Sequence, residues 1–136
     1  MSFFPRYQKK SKNSLCIIIS TRRLLQIGLK VQCLHADGTY KLNVHGLPVI
    51  VVGTTDEHKQ FHPLCISVCT NEKAEDYEYV FRNLKEACEK ENNIEFSPSV
   101  LVADNAEAIS NGFRAMFGEK TRVHCWFHVM MNVKKN

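Results

Sequence analysis

Three runs of strand-forming residues follow one another with turns too short to hold a helix: VQCLHADGTYKL at 31 to 42, LPVIVVGTTD at 47 to 56 and FHPLCISVCTN at 61 to 71. Parallel neighbours need a crossover of about a dozen residues, so strands joined this closely form an antiparallel meander. In the first run Val31, Cys33, His35, Asp37 and Thr39 fall on one face. The second run is almost continuously apolar and rich in branched residues, which predicts a central strand covered on both faces. Pro63 has no amide to donate, so it belongs at an early or edge position of the third.

The period then changes. Between Lys73 and Glu91, Tyr77, Val80, Phe81, Leu84, Ala87 and Cys88 recur at three- and four-residue spacing, the stripe of an amphipathic helix. Glu78 with Arg82 and Glu86 with Lys90 add favourable pairs one turn apart. Asn92, Asn93 and the Ser97-Pro98 pair end the helix, and Ser99 to Ala103 is a short apolar strand. Because a crossover helix precedes it, that strand can pair parallel with an earlier one. A second helix follows from AEAISNGFRAMF, with Gly118 as its stop, and TRVHCWFHVM at 121 to 130 begins as a strand. Upstream, Leu15 to Ile19 favour a strand and Thr21 can cap a short helix carrying Leu24, Leu25 and Ile27. Residues 1 to 14 show no sustained period and read as a loop or arm.

A chain of 136 residues, 44% hydrophobic and 24% charged, fits one domain with a real core, here placed at 15 to 136 behind the arm. Its apolar runs are far below the roughly 20 residues needed to cross a bilayer, which argues against a membrane partner. The six cysteines form no paired C-x-x-C knuckles and are expected to be reduced thiols of an intracellular protein, with Cys65 and Cys69 on one strand face in the core. Seven Lys/Arg and no Asp/Glu fall in residues 1 to 30. Such an arm suits phosphate contact or nuclear import through Arg6, Lys9, Lys10 and Lys12, with Arg22 and Arg23 adding to the DNA contact. A solvated segment explains the same composition, and a mitochondrial transit peptide fits less well because IIIST and RRLLQIGL continue no amphipathic face.

Two acids interrupt strand-like runs. Asp37 with Gly38 is a favoured hairpin turn; equally, Asp37 is a carboxylate aimed from a sheet at a divalent metal. Asp104 ends the apolar run VLVA; it also suits the cap of the next helix, with Glu107 three residues on. Two strands ending in acids can form one site.

These residues resemble a family. HADGTYKL, LPVIVVGTTDEHKQFHPLCISV, VLVADNAEAISNGF and HCWFHVMMNVKK, from about residue 15 to the end, resemble the core domain of Mutator-like element (MULE) transposases. The order β-β-β-α-β-α-β with acids on its first and fourth strands is the ribonuclease H-like α/β arrangement, here incomplete at its C-terminus. The resemblance implies a DDE-type transposase, which cuts and joins DNA with three carboxylates and Mg²⁺ or Mn²⁺. Asp37 would be the first catalytic and metal-binding acid and Asp104 the second. Cys125 and His128 match the family's Cys-x-x-His signature. Their spacing is half a zinc site, with His124 as a third donor, but a closed site needs four, and a packing role for Trp126 and Phe127 fits better.

The family's third acid, a glutamate, lies well downstream of that signature, and this sequence ends eight residues past His128; Glu107 and Glu119 lie before the signature. Two-metal chemistry uses ions roughly 3.5 to 4 Å apart, and a third carboxylate usually completes the second site. The expectation is therefore a transposon-derived DNA-binding domain of the nucleus with weak metal binding and little strand cleavage alone, no small-molecule substrate, and room for a homo-oligomer. Two other readings stand beside it: a non-catalytic nucleic-acid-binding or protein-interaction module, and a fragment with no selected function.

Overall fold

The computed structural model of the protein describes residues 6–11, 14–28, 31–39, 46–56, 58, 60–103, 107–118 and 121–124. A hairpin of β1 (Arg6–Ser11) and β2 (Ser14–Ile19) leads into a short helix, α1 (Arg22–Ile27). The strands β3 (Cys33–Thr39), β4 (Val49–Thr55) and β5 (Phe61–Cys69) follow, then α2 (Ala74–Asn92), β6 (Val100–Ala103), α3 (Glu107–Phe117) and β7 (Thr121–His124). The seven described strands form one mixed sheet in the order β1-β2-β5-β4-β3-β6-β7.

The meander is present as β3, β4 and β5, paired antiparallel with β4 in the middle. β6 lies parallel to β3, and β7 parallel to β6. Each parallel step is reached through a helix, as the geometry of parallel neighbours requires. Pro63 occupies the third position of β5 beside a register shift at Val52 and Gly53, in a stretch that β2 does not reach, since β2 pairs only with Ile66 to Cys69. The missing amide therefore interrupts no ladder on that side.

Two expectations change. Residues 1 to 14 were expected as a loop or arm, but Arg6–Ser11 is a strand bonded to β2. Its Lys-rich composition hides a strand whose pairing supplies what propensity does not. Asp37 and Gly38 do not make a hairpin turn: both lie within β3, opposite Val51 and Ile50 of β4.

The three described helices pack together on one face of the sheet. That face presents Leu34 and Ala36 of β3, Ile50 and Val52 of β4, Cys65, Ser67 and Cys69 of β5, and Leu101 and Ala103 of β6, all buried. Against it α2 sets Tyr77, Val80, Phe81, Leu84 and Cys88, the stripe read from the sequence. Phe81 meets Phe113 of α3 edge to face at 5.6 Å, and Phe113 meets Phe117 at 4.8 Å, separations at which aromatic pairs attract. The helices come this close because position 112 carries no side chain; a Cβ there would lie 2.6 Å from Tyr77 Cβ. Thr21 Oγ1 accepts from Leu24 N and caps α1, Asp76 Oδ2 accepts from Lys73 N at the start of α2, and Gly118, at φ +79°, stops α3.

Among the described residues no helix packs on the opposite face. It carries Cys33, His35 and Asp37, half-buried, and the exposed Ile19, Phe61 and Ile66. The five described cysteines are free thiols; burial raises the thiol of Cys65 and pushes Cys88 up to about 12, and a hydrogen bond with Cys16, together with burial, raises Cys69, so these three are inert packing groups. Among the described residues no helix is long and apolar enough to cross a membrane.

Candidate active site

In the parallel half of the sheet, Ala36 of β3, Ala103 of β6 and His124 of β7 stand side by side. β6 and β7 end there, and β3 runs on through Asp37, Gly38 and Thr39. The carboxyl ends of adjacent parallel strands border a crevice, the usual place for a ligand site in sheets of this kind. Asp37 is therefore the first residue of β3 beyond its pairing with β6, half-buried, on the face away from the helices. Asp104, the next residue after Ala103, lies outside the described residues, as do Cys125 and His128.

His35 and Cys33 share the Asp37 face. His35 Nε2 lies 3.0 Å from Thr55 Oγ1, and burial holds the imidazole below its ordinary value, so at neutral pH it adds no positive charge beside Asp37. Burial likewise raises the Cys33 thiol and keeps it protonated.

A third acid stands at this end of the sheet that sequence reasoning passed over. Glu72 follows β5, which runs parallel to β3 two strands away, and Glu72 Oε1 accepts from the Tyr77 hydroxyl at 2.8 Å. Both groups lie against Gly38, where a Cβ would overlap the Glu72 carboxylate and the Tyr77 hydroxyl. The clue was available in the chain: an acid placed directly after a strand whose carboxyl end faces the same way as that of β3. Among the described residues no group of three or more His, Cys, Asp or Glu is placed to hold a metal ion.

The basic residues are elsewhere. β1, which carries Arg6, Lys9 and Lys10, is four strands from β3 at the opposite edge, about 19 Å at the usual strand spacing of about 4.8 Å. Lys12 lies outside the described residues. Arg22 and Arg23 are exposed at the start of α1, and Arg22 Nε lies 3.6 Å from Glu91 Oε2 of α2.

At the amino end of β3, far from Asp37, the β4–β5 turn is closed by Asp56. Its Oδ1 accepts from His58 N and Gln60 N, and its Oδ2 lies 2.8 Å from His62 Nε2. The His62 hydrogen bond, helped by these amides, lowers the Asp56 carboxyl below its usual range. The pair borders a cavity of about 260 Å³ lined also by Ile27, Val31, Thr54 and Thr55.

The model of the MULE transposase domain matches residues 33 to 132. This chain belongs to the MULE transposase family. The match starts at the first residue of β3, so the MULE region holds the meander, both crossover helices and the parallel strands, while β1, β2 and α1 precede it. It begins later than the resemblance at about residue 15 suggested, and it includes Asp37, Asp104, Cys125 and His128. No curated protein matches this MULE chain.

Proposed function

We propose that this chain is a transposon-derived DDE domain with a ribonuclease H-like fold, acting on the phosphodiester backbone of DNA in the nucleus with Mg²⁺ or Mn²⁺. The observation that carries the reading is the register of β3 with β6: Ala36 pairs with Ala103, and in the sequence each of these alanines is followed by an aspartate, Asp37 and Asp104. Carboxylate oxygens are the donors that hard divalent cations select, so Asp37 and Asp104 fit as the residues that hold the metal. Bound there, a divalent ion would supply a polarised phosphoryl oxygen and an activated nucleophile.

The protein's own residues do the rest. Asp37 is fixed by its place in a paired strand, not by a loop, which favours a preorganised site. Burial holds the His35 imidazole on the same face neutral, so it puts no positive charge of its own into the site. The basic residues of β1, at the far edge of the sheet, give DNA affinity there, leaving the carboxyl end of β3 for the scissile phosphate.

The test incubates purified protein with Mn²⁺ and a labelled duplex beside Asp37→Asn and Asp104→Asn variants. Metal-dependent nicking or strand transfer that disappears in both variants supports the reading. Activity that persists in either one belongs to a contaminating nuclease or another site, and the assignment fails.

A further inference from the structure

We propose that Cys16 of β2 and Cys69 of β5 are a latent disulfide site: oxidation by a peroxide joins them and locks the β1–β2 hairpin, which precedes the MULE region, onto the sheet of that region. The pair lies on the helix-covered face, away from Asp37.

Register brings the two thiols together. Cys16 and Cys69 are direct partners in the antiparallel pairing of β2 with β5. Partners of this kind alternate between those that exchange backbone hydrogen bonds and those that do not, and the second kind stand closer. Cys69 N donates to Pro48 O, just ahead of β4, so its backbone faces β4 and not β2. Its Cα therefore stands about 4.5 Å from that of Cys16, within the span of about 4.4 to 6.8 Å that disulfides bridge. The side chains converge as well. Ser67 Oγ lies 3.3 Å from Cys16 Sγ and 3.4 Å from Cys69 Sγ, and the two thiols are hydrogen-bonded to each other.

The other described cysteines are not placed this way. Cys33 is opposite Val100 and Cys65 opposite Val52, while Cys88 Sγ lies against Gly28. Cys65 stands four residues from Cys69 along one strand, about 13 Å away and out of reach. Packing explains a small side chain at position 16 or at position 69, but not sulfur at both. Each residue is only 1% exposed, so the thiols are inert while the sheet is closed. The bond forms when the hairpin opens: β1 is the edge strand, and β2 is held to the rest of the sheet through β5. The peroxide then oxidises one thiol to a sulfenic acid and releases water. The second sulfur attacks the first, the S–S bond forms, and the hydroxyl leaves with the second thiol's proton as another water. Two thiols lose two electrons, and one peroxide becomes two waters.

The experiment incubates the full chain with hydrogen peroxide, with and without a low concentration of urea, and maps its peptides by mass without reductant. Thermal midpoints are taken before oxidation, after it, and after dithiothreitol. A peptide linking Cys16 to Cys69 is expected, formed faster in urea, with the midpoint raised on the order of 10 °C because a long loop is closed, and returned by dithiothreitol. Cys16→Ser and Cys69→Ser should each lose the linked peptide and the rise, and Cys33→Ser should keep both. The wild-type map decides the matter even where a serine variant does not fold. A link between other cysteines, oxidation that stops at sulfinic acid, or a Cys16–Cys69 link that leaves the midpoint unchanged overturns the proposal.

Discussion

Ala36 of β3 and Ala103 of β6 are register partners in the parallel pairing that joins the meander to the crossover half of the sheet, and both are buried beneath the helices. Each directly precedes an aspartate. If Asp37 and Asp104 hold the same ion, their substitutions act on one event and must be non-additive. Mn²⁺ should raise the thermal midpoint of the parent chain, Asp37→Asn and Asp104→Asn should each remove most of that rise, and the double variant should lose no more. Independent, additive losses would place the acids at separate sites.

The basic strand gives a prediction that its pairing changes. Deleting residues 1 to 14 would strip β1 from β2 and expose a new sheet edge, so charge substitution is the cleaner test. Replacing Arg6, Lys9, Lys10 and Lys12 by glutamine should weaken duplex binding without regard to sequence. The log-log salt slope should fall by up to about 0.9 for each phosphate that the protein no longer neutralises. An unchanged slope would mean that DNA lies elsewhere on the protein.

His35 predicts a pH dependence. Its folded-state value is depressed by burial, so the unfolded chain takes up a proton first as the pH falls. The stability tied to its neutral form is fully present above the ordinary value of about 6.5 and is lost progressively as the pH drops below it toward the folded value. Urea midpoints measured from pH 8 to pH 5 should decline for the parent, and that part of the decline should be absent in His35→Gln. Equal profiles would show that the imidazole is solvated in the folded state.

Much of this arrangement could be read from the chain because it rests on local pattern. Short turns force the meander, the stripe from Tyr77 to Cys88 forces α2, and the crossover places β6 beside β3. What escaped depends on neighbours distant in sequence. β1 is a strand only because β2 lies beside it, and nothing in RYQKKS announces that. The meaning of Gly38 is fixed by Glu72 and Tyr77, more than thirty residues away, so Asp-Gly was open to a turn reading. The Asp56–His62 pair escaped because its geometry belongs to the fold of a turn. Its carboxylate is readable in TDEHKQFH; its partner is not.

The two faces of the sheet should differ sharply in what a large-to-small substitution costs. Phe81 is fully buried on the helix-covered side, with rings of Tyr77, Phe113 and Phe117 around it. Truncation to alanine removes that ring packing and leaves a space that two crossing helices cannot easily close, which typically costs about 3 to 5 kcal/mol. Ile66 lies on the other face and is 43% exposed, so Ile66→Ala forfeits only part of its transfer energy and opens a site that solvent already reaches. Its cost should stay below about 1.5 kcal/mol, under the range for a fully buried aliphatic side chain. Urea unfolding of both variants checks the contrast. Comparable losses would show that this second face is covered in solution, and the exposed row of Ile19, Phe61 and Ile66 would then be part of a buried interface.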